Sequence, residues 1–262
     1  MNLGIAVLLG VLQGLTEFLP VSSSGHLALA QLVIPGFTQP GVLFDVTLHV
    51  GTAAAVVWYE RREILRWLST TAGYRLAGLL VLGTLATGVV AFPVKNIAES
   101  AFARPLWIGV ALILTGVVVG ATRWLPGGDR DERRITWRHA VVVGLAQGTA
   151  VFPGLSRSGM TIATSLGVGL DRAWAARFSF LLGVPAILGV AVLELIDERH
   201  AVAAAGAGYW AACGVGAVAA GVTGYAALKI VIATLSSRIF HRFAWYCVPL
   251  GILVLALTRS AS

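Results

Sequence analysis

Ala6 to Gly25 reads AVLLGVLQGLTEFLPVSSSG, and Ala140 to Gly159 reads AVVVGLAQGTAVFPGLSRSG: one segment written twice, 134 residues apart and without a gap. Nine of the twenty aligned positions are identical, among them Gln13/Gln147, Gly14/Gly148, Phe18/Phe152, Ser22/Ser156, Ser24/Ser158 and Gly25/Gly159. The copies diverge where chemistry is carried. Glu17, Ser23 and His26 stand opposite Val151, Arg157 and Met160, so one copy holds acid/base and nucleophile groups and the other a fixed cation. The two read as halves of one site.

Each copy is an apolar arm, a break rich in Pro, Gly and Ser (Leu19–Gly25; Pro153–Gly159), and a second apolar arm. Proline and glycine interrupt the helix and free backbone N–H and C=O groups. Such a break is tolerated at membrane depth only where it is buried in protein or lines a wet cavity, so both copies are expected to be re-entrant helical hairpins.

The rest of the chain puts those hairpins in a bilayer. With 57% apolar residues, 12% charged and a mean hydropathy of +0.84, the sequence reads as an all-α polytopic membrane protein, a single transmembrane domain over residues 1–262. Six spans of roughly 20 residues are expected, near Val42–Tyr59, Tyr74–Val94, Leu106–Leu125, Trp174–Ile196, Ala201–Leu228 and Phe243–Thr258. The N-terminal stretch Met1–Gly10 has no basic n-region and is expected to belong to the mature protein.

The net charge of +7 does not indicate nucleic-acid binding, because the arginines sit in short clusters between apolar spans. Glu60–Trp67, Arg123–His139 and Lys229–Arg242 are the basic segments, while Lys95–Arg104 and Asp197–His200 are nearly neutral. If each hairpin returns to the side it entered from, every basic segment falls on the cytoplasmic side and both termini outside. Three spans then separate the copies. Repeat halves of about 1–94 and 138–228 are therefore related by inversion, which places both breaks near the midplane. Phe44/Phe178 and Leu48/Leu182 keep the same offset beyond the hairpins.

From Leu3 to Phe37 the only ionisable side chains are Glu17 and His26, and from Ala140 to Leu170 the only one is Arg157. An ionisable group inside the bilayer costs several kcal/mol unless paired or hydrated, so each is a functional candidate. Their company points to phosphate. Ser22, Ser23, Ser24 and Gly25, with Ser156, Ser158 and Gly159, supply hydroxyls and N–H groups at helix breaks, where oxyanions bind, and Arg157 adds a planar fork for bidentate contact. Some of these serines are expected to serve only as helix caps. Glu17 and His26 fit acid/base roles in phosphoryl transfer, and Ser23, His26 or an activated water remains as nucleophile. A buried Glu17–Arg157 pair that merely fixes the hairpins is the bland alternative.

At these residues the sequence resembles the bacitracin-resistance type of undecaprenyl-diphosphate phosphatase. Gln13–Glu17 matches that family's (E/Q)xxxE motif, followed by Leu19-Pro20-Val21-Ser22-Ser23-Ser24-Gly25-His26, and Pro153–Thr161 matches its PGxSRSxxT motif. The resemblance implies hydrolysis of a C55 polyprenyl diphosphate to the monophosphate and inorganic phosphate, recycling the cell-wall lipid carrier at a bacterial inner membrane, from a site open to the outer face. It implies Glu17 and His26 as acid/base groups, Ser23 as nucleophile or phosphate contact, and Arg157 as phosphate clamp. Ser156, Ser158 and Thr161 would support the clamp, with Gln13 beside it. A divalent cation, Mg²⁺ or Ca²⁺, is implied as helper, with Glu17 as its protein carboxylate since Gln13 is an amide here. The class-level alternative is a transporter or flippase of polyprenyl phosphates, also built from inverted hairpins.

Asp45 and His49, four apart on the first span, could add to the site or ligate a metal, but a polar pair near a wet interface is the commoner explanation of such spacing. Trp58, Tyr59, Trp67, Trp107, Trp124, Trp174, Trp245 and Tyr246 read as interfacial anchors. The Gly/Ala-rich run Ala201–Ala227 reads as a close packing surface, within the chain or between the protomers of a homodimer. Cys213 and Cys247 read as small buried hydrophobes.

Overall fold

The structure, a computed structural model, describes residues 2–34 and 42–260. Those residues form eleven α-helices and no β-strand: α1 Leu3–Phe18, α2 Ser23–Val33, α3 Val42–Trp67, α4 Thr71–Phe102, α5 Pro105–Ala121, α6 Trp137–Thr149, α7 Arg157–Gly167, α8 Arg172–Asp197, α9 Arg199–Ala204, α10 Ala207–Ser236 and α11 Ala244–Ser260. Five are long and apolar enough to cross a membrane: α4, α5, α8, α10 and α11, the fifth and eleventh counted with their adjoining 3₁₀ turns. The chain is a multi-pass membrane protein. Helix α3, 26 residues long, is not one of those five.

Local chemistry sets where the helices stop. α1 ends at Phe18 because Leu19 precedes Pro20 and takes extended backbone, and α2 restarts from Ser22, whose hydroxyl accepts the Gly25 N–H at 3.3 Å. In the second copy α6 ends ahead of Pro153, and Ser156 caps α7 by accepting the Gly159 N–H at 3.0 Å. Both expected breaks are present, with the same cap 134 residues on.

Helix ends differ from the expected spans in four places: α3 runs on to Trp67 and α10 to Ser236, and two others redraw the loops between spans. α4 continues through Pro93 to Phe102, so Lys95–Phe102 is helix and not loop. Proline removes one donor, and the extension is held from outside: Lys95 pairs with Glu99 one turn on and reaches Glu194 and Asp197 of α8 at 3.6 and 3.7 Å. α10 begins at Ala207, after a break at Gly206 that leaves Arg199–Ala204 as a separate short helix.

The first helix of each hairpin lies against a long helix through small residues. α1 packs on α10, where Gly10 and Gly14 rest on the Gly216 and Ala220 carbonyls; α6 packs on α4, where Gly144 and Gly148 rest on Gly83 and Thr87. A Cβ at any of the four would strike neighbouring backbone or a side chain, so only glycine permits this approach. α3 packs on α8 and on α10, and α5 packs on α11. Phe44, Leu48, Phe178 and Leu182, the residues that keep the repeat offset, are all fully buried.

Trp67 and Trp174 are not interfacial anchors. Both are buried and pack on each other with ring centroids 6.1 Å apart, while Trp58, Trp107, Trp124 and Trp245 are exposed as expected. Trp67 donates to Glu132 at 3.3 Å, Arg66 lies 3.9 Å from the same carboxylate, and Arg75 donates to the Glu132, Arg133 and Ile135 carbonyls. The first two basic segments thus share one end of the molecule.

Candidate active site

Glu17, at the last turn of α1, is the hub on which both hairpins converge. Its Oε1 accepts from Arg157 Nη2 of α7 at 2.5 Å. Its Oε2 accepts from Ser23 Oγ of α2 at 2.7 Å and from Gln13 Nε2 at 2.9 Å, and His49 Nδ1 of α3 lies 3.1 Å away. The carboxylate is buried, with a side-chain exposure of 4% against 16% for Arg157. Three donors reach the carboxylate, and His49 stands beside it. That is what a buried carboxylate requires, since an unpaired charge there would cost several kcal/mol.

Each partner is placed by a local feature. Gln13 and Glu17 are four apart, so they share a face of α1. Ser23 and Arg157 are the first helical residues after their breaks and occupy equivalent positions in the two copies. The breaks also touch: Ser22 Oγ accepts the Gly154 N–H at 3.0 Å, and Ser158 Oγ donates to the Leu19 carbonyl at 3.1 Å. Gly154 has φ +97°, a left-handed conformation that suits glycine, and Gly25 lies against its backbone.

The expected phosphate contacts therefore divide. Ser22 and Ser158 stitch the breaks together, Gly25 provides close approach, and Thr161 Oγ1 donates to the Arg157 carbonyl at 2.8 Å while meeting Ser179 Oγ at 2.5 Å. Ser23, Ser24, Ser156 and Arg157 line a cavity of about 290 Å³ together with Glu17 and His49. The same cavity runs to Ala91 and Phe102 of α4 and Ile187 and Val190 of α8, so one end is polar and cationic and the other apolar.

His26 is oriented differently from the rest. Its Nδ1 lies 2.8 Å from the Ser22 carbonyl, which only accepts, so that nitrogen carries a proton, and its Nε2 is hydrogen-bonded with the Tyr246 hydroxyl, 2.7 Å away. Tyr246 also stacks on the ring at 5.7 Å. Ser23 donates to Glu17 and not to His26.

Two site residues escaped the sequence reading. His49, for which a polar pair at a wet interface is the preferred sequence reading over a place in the site, stands in the cavity wall against Glu17 and Gln13. Gln147, the repeat mate of Gln13, lines the cavity, donates to Thr87 Oγ1 at 3.1 Å and leaves its Oε1 without a hydrogen-bond partner.

These residues do not fit a protein-held divalent cation. Both Glu17 oxygens are engaged, one by a guanidinium, and no group of three His, Cys, Asp or Glu side chains close enough to hold a metal occurs among the described residues.

The family described as bacitracin resistance protein BacA matches over residues 6–253. The chain belongs to the BacA family. Among BacA relatives, the undecaprenyl-diphosphatase of Desulfatibacillum aliphaticivorans is 40% identical over 95% of this chain and 96% of its own. That of Syntrophotalea carbinolica is 40% identical over 97% and 98%, and that of Methanosphaera stadtmanae 33% identical over 97% of both chains. The BacA match covers both breaks and four of the five long apolar helices in full, and ends within α11.

Proposed function

We propose that this BacA protein is a membrane phosphatase that hydrolyses undecaprenyl diphosphate to undecaprenyl phosphate and inorganic phosphate, returning the cell-wall lipid carrier to use. The observation that carries the reading is the contact of Ser23 and Arg157 with one carboxylate at the polar end of a cavity whose far end is apolar. Relatives named undecaprenyl-diphosphatase at about 40% identity over nearly the whole chain support the same substrate.

The chemistry follows from the contacts. Glu17 Oε2 takes the Ser23 proton as Oγ attacks the terminal phosphorus; the bridging P–O bond breaks, and its electron pair leaves on the polyprenyl monophosphate. Water then cleaves the phosphoserine, giving its proton to a site base and releasing inorganic phosphate. Arg157 turns its fork from Glu17 to the phosphoryl oxygens, where charge is stabilised. His26, held by Tyr246, is the second acid/base group and acts after release from that hydroxyl. Any Mg²⁺ or Ca²⁺ belongs with the diphosphate oxygens of the substrate, because the protein offers no cage for it.

The same reading assigns α3 as a sixth span and both hairpins as re-entrant, in halves related by inversion. Its support is reciprocal packing: α1 on α10 matches α6 on α4, α3 on α10 matches α8 on α4, and α3·α8 and α5·α11 pair equivalent helices. The basic ends face the cytoplasm of a bacterial inner membrane, and the site opens outward. In a variant lacking Cys213 and Cys247, single cysteines at Arg61–Glu63 and Gly127–Arg134 label from the cytoplasm, and those at Asn96–Ser100 from outside. Labelling of Arg61 and Gly127 from opposite faces would break the inversion.

Product analysis tests the activity. Purified protein in detergent is expected to convert a C55 or shorter polyprenyl diphosphate to monophosphate plus inorganic phosphate, with or without added Mg²⁺ or Ca²⁺. Folded protein that releases no phosphate under either condition favours the transporter alternative.

A further inference from the structure

We propose that His49 is a positioning residue of this site, the cross-helix brace that holds Glu17 Oε2 where it receives the Ser23 proton. The inference rests on the phosphatase reading and goes beyond it. Glu17 has four side-chain partners, and they are not equivalent during the reaction. Ser23 surrenders its proton, and Arg157 turns to the phosphate. Gln13 remains, but it lies on α1 and moves with Glu17, so it cannot fix the carboxylate relative to α2. His49, on α3, is the fixed partner from another element: its Nδ1 accepts from Gln13 Nε2 at 2.8 Å, so the amide whose other N–H donates to Oε2 at 2.9 Å is held from outside α1, and Nδ1 itself lies 3.1 Å from Oε2. The side chain lines the cavity beside Ser23, and α3 is anchored behind it by buried Phe44 and Leu48.

The second repeat supplies an independent comparison. Position 183, 134 residues beyond His49, is glycine, and position 151, the mate of Glu17, is valine. The guanidinium of Arg157 occupies the space a side chain at Gly183 would fill. The half that lacks the carboxylate therefore lacks the brace, and its place is used by the cation. A histidine that served only to pack α3 against its neighbours would not be expected to track the carboxylate in this way.

The test separates hydrogen-bond positioning from structure and from imidazole chemistry. His49→Gln keeps a side-chain acceptor for Gln13 Nε2 and is expected to retain kcat within about threefold. His49→Leu removes the acceptor, and kcat is expected to fall about 10- to 100-fold, the range for leaving a buried donor unpaired, with KM within about threefold. Binding of farnesyl methylenediphosphonate, a nonhydrolysable probe, is expected to be unchanged in both. Should His49→Leu fail to fold, His49→Asn, polar but shorter, carries the same prediction of lost kcat. Full kcat in His49→Leu or His49→Asn overturns the proposal, as does a His49→Gln variant as slow as His49→Leu, which would make the imidazole itself the reactive group. Absence of phosphate release from the wild-type protein is a different result: it overturns the phosphatase reading, and the brace falls with it.

Discussion

Arg157→Lys is expected to leave the protein folded and to lower kcat/KM by about 10²- to 10³-fold, the scale for removing a preorganised donor from a developing oxyanion. The guanidinium now spans two elements, with Nη2 on Glu17 of α1 and Nη1 3.3 Å from the Ser179 carbonyl of α8. Lysine can pair with Glu17 as a point charge, so the buried carboxylate is not stranded and the fold survives. It cannot hold Ser179 and present two parallel N–H groups to a phosphate at once. If Arg157 only neutralised Glu17, lysine would serve almost as well. Phosphate release by the lysine variant at near wild-type rate, with thermal stability preserved, would reject the clamp.

Ser23→Ala is expected to reduce turnover by about 10³-fold or more, as removal of a coupled nucleophile does. Its hydroxyl is the one on α2 that reaches the carboxylate, and alanine adds no bulk and leaves Gln13, His49 and Arg157 on Glu17. The fold is thus retained while the attacking oxygen is lost. Acid quench during turnover of the wild-type enzyme is expected to trap phosphate in an acid-stable bond to Ser23. An acid-labile adduct on His26, or near-normal turnover in Ser23→Ala, would move the attack to histidine or water. His26→Ala is also expected to slow turnover by orders of magnitude, without loss of the Ser23–Glu17 contact.

The parts of the site that could be read from sequence were those written locally. Pro20 and Pro153 stop the helices, Ser22 and Ser156 cap the next ones, and the single charged residues of each hairpin, Glu17 and Arg157, meet as their isolation in apolar sequence required. What escaped depends on packing between distant segments. His49 acquires its role only because α3 brings it to α1; Asp45, four residues earlier on the same helix, also accepts from Gln31 at 2.8 Å. Tyr246 meets His26 from 220 residues away, a contact no local pattern carries. Trp67 and Trp174 sit at span ends by count but are buried where α3 and α8 meet. The helical course of α4 beyond Pro93 likewise depends on Lys95 finding acids on α8.

The central claim is that one phosphate site is built from both hairpins, and protection of a residue on one by ligand held from the other tests it most directly. In a protein lacking Cys213 and Cys247, Ser23→Cys is alkylated by a small thiol reagent with and without farnesyl methylenediphosphonate. The probe is expected to slow alkylation at least about tenfold, and Arg157→Lys in the same background to raise the half-protecting concentration at least about tenfold. Protection that is absent, or that is indifferent to residue 157, would contradict a shared site.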